Sequence, residues 1–79
     1  MNIKSKFLNL VAQYSKLSPS ELTGEKRFRE DLDFSSLDFM SFLGELEDEF
    51  DVELEQDKII QIRTIDEALS MIQELQEVG

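Results

Sequence analysis

The sequence predicts an all-α fold, a four-helix bundle of three long helices and one short one in a single domain spanning residues 1–79. Three observations carry this expectation. Apolar residues recur at three- and four-residue spacing in three separate stretches. Helix-start signals precede two of those stretches. No segment alternates apolar and polar residues convincingly except residues 51–54, and these are too few to stand alone as a strand.

In chain order, the first helix covers residues 3–14, with Ile3, Phe7, Leu10, Val11 and Tyr14 at helical spacing and Lys4, Lys6, Asn9 and Gln13 between them. Ser18-Pro19-Ser20-Glu21 then supplies a cap, a proline at the first helical position and a glutamate three residues after the cap. That suffices for one short turn, which Gly24 ends. Residues 25–34 have no clean period and read as a long loop pinned by Phe28, Leu32 and Phe34. The strongest helix covers residues 37–50, with Ser35 and Ser36 at its start and Asp38 three residues beyond Ser35 as a capping-box analogue. Residues 56–61 offer one or two turns carrying Ile59 and Ile60. Thr64-x-x-Glu67 is a capping box for the last helix, whose Ile65, Ala68, Leu69, Ile72 and Leu75 share a face.

A chain of 79 residues without cysteine has no disulfide or Cys-based zinc site to brace it, so its helices must hold together by packing. Eighteen acidic against eight basic residues give a net charge of -10. Such a surface repels nucleic acid and anionic lipid and steers the molecule toward basic patches on protein partners. Histidine is absent as well, which removes the commonest general base and metal ligand. Neither independent catalysis nor a metal site is expected. Without a cationic segment leading into a long apolar run, the expected protein is soluble, cytoplasmic and monomeric.

Spacing the residues of the 37–50 helix about 100° apart separates three faces. Phe39, Phe42, Leu43, Leu46 and Phe50 form the core side, and Asp38, Glu45 and Glu49 an acidic back. The third face mixes Leu37 and Met40 with Ser36, Ser41, Gly44, Glu47 and Asp48. An apolar centre with an acidic rim suits protein docking, although Leu37 and Met40 could equally pack against the long loop or the short helix. Gly44 costs about 1 kcal/mol against alanine and marks a possible close approach by another element or a partner. Ser36 stands where free backbone N–H groups and the helix dipole favour an attached anion. Only one of the two serines can cap the helix.

These residues resemble the acyl carrier proteins, small acidic four-helix carriers. The resemblance spans nearly the whole chain and centres on Asp31-Leu32-Asp33-Phe34-Ser35-Ser36-Leu37-Asp38, followed by a helix ending Glu47-Asp48-Glu49-Phe50-Asp51. It implies that Ser36 is esterified by the 4'-phosphopantetheine of coenzyme A, donated by a phosphopantetheinyl transferase. The arm's thiol would hold acyl groups as thioesters for acyl-handling enzymes of fatty acid or related lipid or polyketide biosynthesis. By the same resemblance, Leu37, Asp38, Met40, Glu47 and Asp48 match the partner-docking surface. Phe39, Phe42, Leu43, Leu46, Phe50, Ile65, Leu69 and Ile72 would wall the acyl-chain pocket, and they suit an ordinary core equally well.

The chain departs from the family pattern at three places. Ser35 stands where the family usually has aspartate, Ser41 where it has an acidic docking residue, and Gly44 where it has an apolar one. Phe34, Phe39 and Phe42 make the neighbourhood aromatic, which reduces the room for a long acyl chain and suggests a specialised carrier. Two other readings compete. Asp31-x-Asp33-x-Ser35 starts like a calcium loop, but Ser36 and Phe42 occupy the positions that need glycine and a bidentate glutamate. A small acidic adaptor without a prosthetic group fits the charge and the mixed face equally well; within the carrier class a peptidyl or D-alanyl carrier is the alternative, although length and dense acidic charge favour an acyl carrier.

Overall fold

The structure is a computed structural model that describes residues 2–78. Helix α1, Ile3–Tyr14, starts at Asn2, whose Oδ1 accepts the Ser5 N–H at 2.8 Å, and it buries Phe7, Leu10 and Val11. The turn expected after Pro19 is a 3-10 turn at Pro19–Glu21, where the Glu21 carboxylate accepts both the N–H and the hydroxyl of Ser18. The longest helix, α2, covers Ser36–Phe50 and starts one residue earlier than the periodicity suggests. Helix α3 is the single turn Gln56–Ile59, and α4 covers Ile65–Val78. No helix among the described residues is long and apolar enough to cross a membrane.

Residues 51–54 do not pair as a strand. The Leu54 N–H, which a sheet partner would otherwise satisfy, donates to Glu47 Oε2 at 2.9 Å while the Leu54 side chain is buried. Asp51 takes a left-handed conformation, φ 53°, and its N–H bonds the Glu47 carbonyl, which closes α2. Aspartate is one of the few side chains for which this conformation is cheap.

The loop between the 3-10 turn and α2 is more structured than its aperiodic sequence suggests. Leu22, Phe28, Leu32 and Phe34 are buried, in accord with the three anchors expected from the sequence. Its backbone is also paired with the approach to α4. Phe28 N–H donates to the Arg63 carbonyl, Ile65 N–H to Lys26, and Asp66 N–H to Gly24, each at 3.0 Å. Arg27 and Thr64 meet there as an isolated antiparallel bridge. A side chain at position 24 would meet the exposed Asp66 carboxylate, which would have to swing aside. Within the loop, Arg27 N–H and Nε donate to Asp31 Oδ2, and Phe34 N–H donates to the Phe28 carbonyl. These hydrogen bonds, the one to the Arg27 N–H foremost, hold the Asp31 carboxyl below its ordinary range.

The core is aromatic at one end and aliphatic at the other. Phe42 is fully buried and stacks at tilted or edge-on angles against Phe7, Tyr14, Phe28 and Phe34, with ring centroids 5.6–5.9 Å apart. Phe39 is only half-buried, against Phe28 at 5.4 Å. Beyond them Leu46, Phe50, Ile65, Ala68, Leu69 and Ile72 pack together with Met71, whose burial the sequence reading did not anticipate. Tyr14 keeps its hydroxyl at the edge, donating to Glu45 Oε1 at 2.9 Å; partial burial and this carboxylate raise its pKa.

Two outcomes follow. Phe42→Ala is expected to cost about 3–5 kcal/mol in urea unfolding, because it removes the ring on which four others pack. Glu67 caps α4 by accepting the Arg63 and Thr64 N–H groups at 2.9 Å, bonds that lower its pKa below 4.5. Since the folded pKa is depressed, the cap contributes above the unfolded value and is lost as pH falls through the folded one. The urea-midpoint gap between wild type and Glu67→Gln is therefore expected to hold above about pH 4.5 and to close progressively below it.

Candidate functional site

The site begins with the division of two hydroxyls at the start of α2. Ser35 Oγ accepts the Asp38 N–H at 3.1 Å, and Asp38 Oδ2 accepts the Ser35 N–H, also at 3.1 Å. This is a complete capping box, and it consumes Ser35. Ser36 is the first residue of the helix and is exposed. Its Oγ has one neighbour among the described hydrogen bonds, Nη2 of Arg29, which donates to it at 3.2 Å. The backbone N–H groups of Ser36 and Leu37 have no acceptor among the described residues. Ser36 Oγ thus meets a guanidinium, and it stands on the first turn of a 15-residue helix, where two unpaired amides mark the positive end.

Next to this oxygen lies a groove of about 280 Å³ lined by Phe28, Arg29, Glu30, Phe39, Ile62 and Arg63. It runs between the loop, α2 and the α3–α4 connection. Of the eight residues expected to wall an acyl-chain pocket, Phe39 lines this groove, while Phe42, Leu43, Leu46, Phe50, Ile65, Leu69 and Ile72 are packed into the core behind it.

The mixed face of α2 is exposed as the helical wheel places it. Leu37 is 80% exposed and Met40 64%, so neither packs against the loop or α3. Asp48 is free in solvent, whereas Glu47 and Asp38 are half-buried and each already accepts a backbone N–H, from Leu54 and Ser35 respectively. Gly44 is exposed, and nothing lies within 4 Å of where its Cβ would be, so no other element among the described residues approaches it. The sequence reading missed Ile60, 76% exposed at the end of α3. A signal existed: on a one-turn helix, only one of two adjacent isoleucines can face the core, and Ile59 does so.

What the site can do chemically is present an accessible alcohol in a setting that favours a bound anion. A 4'-phosphopantetheine phosphodiester at Ser36 fits the residues present, since the residue is exposed, a cation meets its oxygen and the same helix turn has two free N–H donors. Known proteins are similar to this chain as a whole. Residues 5–72 match the family model described as phosphopantetheine attachment site. The chain is 34% identical over 70 residues to an acyl carrier protein of Lactobacillus acidophilus, covering 89% of this chain and 88% of that one. It is 31% identical over 68 residues to the meromycolate extension acyl carrier protein of Mycobacterium tuberculosis, covering 86% of this chain but 59% of that longer protein. An acyl carrier protein from Enterococcus faecalis superposes with a TM-score of 0.81 at 25% identity, covering 92% of each chain. With the family model matched over most of its length and relatives aligned from α1 to α4, this chain belongs to the acyl carrier protein family, and 4'-phosphopantetheine is its covalent cofactor.

Proposed function

We propose that this chain carries acyl intermediates as thioesters on a 4'-phosphopantetheine arm attached through Ser36 Oγ, for fatty acid or related lipid or polyketide biosynthesis. The observation that supports this best is the division of the serines: Ser35 is spent on the helix cap, which leaves Ser36 exposed against Arg29. The bound arm supplies a mobile thiol, a group this cysteine-free chain lacks. The protein's own part is to hold the attachment oxygen outside the core, present a docking face and shelter cargo, while partner enzymes perform the chemistry.

The docking face is built from Leu37, Met40 and Asp48, with Glu47 and Asp38 at its margins. Leu37 and Met40 give apolar contact beside the attachment point, and the surrounding acid complements basic patches on a phosphopantetheinyl transferase and on acyl-handling enzymes. Cargo rests first on Phe39 in the groove beside Arg29. A chain that penetrates further must displace Phe42, Leu46 and Ile72, all completely buried, so short or flat acyl groups suit this carrier better than long ones.

Incubation with coenzyme A and a phosphopantetheinyl transferase, followed by intact mass, tests attachment. Wild type and Ser35→Ala are expected to gain one phosphopantetheine and Ser36→Ala none; a Ser36→Ala protein that still gains it refutes the assignment. Leu37→Ala is expected to leave urea stability within about 0.5 kcal/mol while slowing transfer. Transferase affinity of the wild type is expected to fall with added salt, because the attraction of the acidic surface around Asp48 is screened over about 8–10 Å at physiological ionic strength.

A further inference from the structure

We infer that Arg29 holds the phosphodiester through which the arm is attached, a role that rests on Ser36 being the attachment point. Its Nη2 lies 3.2 Å from Ser36 Oγ. A phosphodiester formed on that oxygen would stand beside the guanidinium, whose fork matches phosphate better than an ammonium does. The two unpaired N–H groups of Ser36 and Leu37 lie at the same oxygen's own helix turn, so one anion is offered donors by both backbone and side chain.

The rest of the charge distribution leaves Arg29 free for this role. Eighteen carboxylates compete for eight cations, and neighbouring Arg27 is taken by Glu30 at 3.5 Å and Asp31 at 3.2 Å. Arg29 nevertheless has no carboxylate within 4.0 Å among the described residues. The neutral residue at position 35 matters here. An aspartate there would add one more negative charge next to Ser36 in the chain, whereas the Ser35 hydroxyl is neutral and already bonded to the Asp38 N–H. The Arg29 backbone is steadied by Phe28, which is buried, donates to the Arg63 carbonyl and accepts the Phe34 N–H. Arg29 is a positioning residue, since the bond-making atom is Ser36 Oγ.

The test uses fully loaded protein, with loading at Ser36 established by intact mass and by its loss in Ser36→Ala. Phosphorus NMR is recorded for holo wild type, Arg29→Gln, Arg29→Lys and Lys4→Gln, the last an exposed cation of α1 outside the groove, together with the Arg29 Nε–H resonance before and after loading. A shift of the Nε–H on loading is expected, along with a phosphorus line that moves and narrows in Arg29→Gln, partly recovers in Arg29→Lys and is unchanged in Lys4→Gln. Equal phosphorus spectra for wild type and Arg29→Gln, or an Arg29 Nε–H that ignores loading, overturn the role of Arg29 and leave the attachment point standing. Loading that survives Ser36→Ala overturns the attachment reading itself, and the Arg29 assignment with it.

Discussion

The fold depends on one buried ring. With eighteen carboxylates and eight cations, this chain cannot be held by ion pairs, and the three that form among the described residues are exposed and individually weak. Cohesion falls to apolar burial, and Phe42 is where the separate parts meet. It touches Phe7 and Tyr14 from α1, and Phe28 and Phe34 from the loop. Through that ring, α2 is set against α1 on one side and against the loop on the other. The orientation of every surface residue on α2 follows from it. Leu37 and Met40 are exposed because the opposite side of their helix is committed to the aromatic cluster.

The Ser36 oxygen, the proposed attachment point, is positioned by the same logic at a smaller scale. A capping box and an aromatic anchor constrain the backbone on either side of the helix start, so Ser36 itself bears no structural duty. Rigidity around a group that is itself unencumbered is what a covalent attachment point needs, since it must be reached by an enzyme and yet stay in register with a docking face. Replacing the usual acid at position 35 by serine keeps the cap and removes one charge. The local field around Ser36 is correspondingly less negative than the net charge of -10 suggests.

Much of this was legible in the sequence because it rests on local or periodic signals. The three long helices follow from apolar spacing, the starts of α2 and α4 from cap residues, and the exposed face of α2 from a helical wheel. Other features leave no such trace. Backbone pairing between the loop and the approach to α4 uses N–H and carbonyl groups that every residue carries, so no side-chain pattern announces it. Helix α3 stops after one turn although residues 60 and 61 offered more, because the chain turns to deliver Arg63 to Phe28. The contact of Arg29 with Ser36 exists only once the intervening residues have folded, around the left-handed Asp33. Spacing alone could not show it.

Glu47 carries a consequence of a different kind. Its carboxylate is on the face that Leu37 and Met40 make attractive to other proteins, and it also satisfies the Leu54 N–H at the point where the chain leaves α2 for α3. Any external cation that draws the carboxylate away leaves a backbone donor stranded over a buried leucine. If the proposed docking face engages a partner through Glu47, recognition there and the integrity of the α2–α3 connection would be thermodynamically linked, and linkage is reciprocal. Glu47 would then work as a latch, since a partner that took its carboxylate would release the Leu54 N–H at the start of the segment that leads to α3.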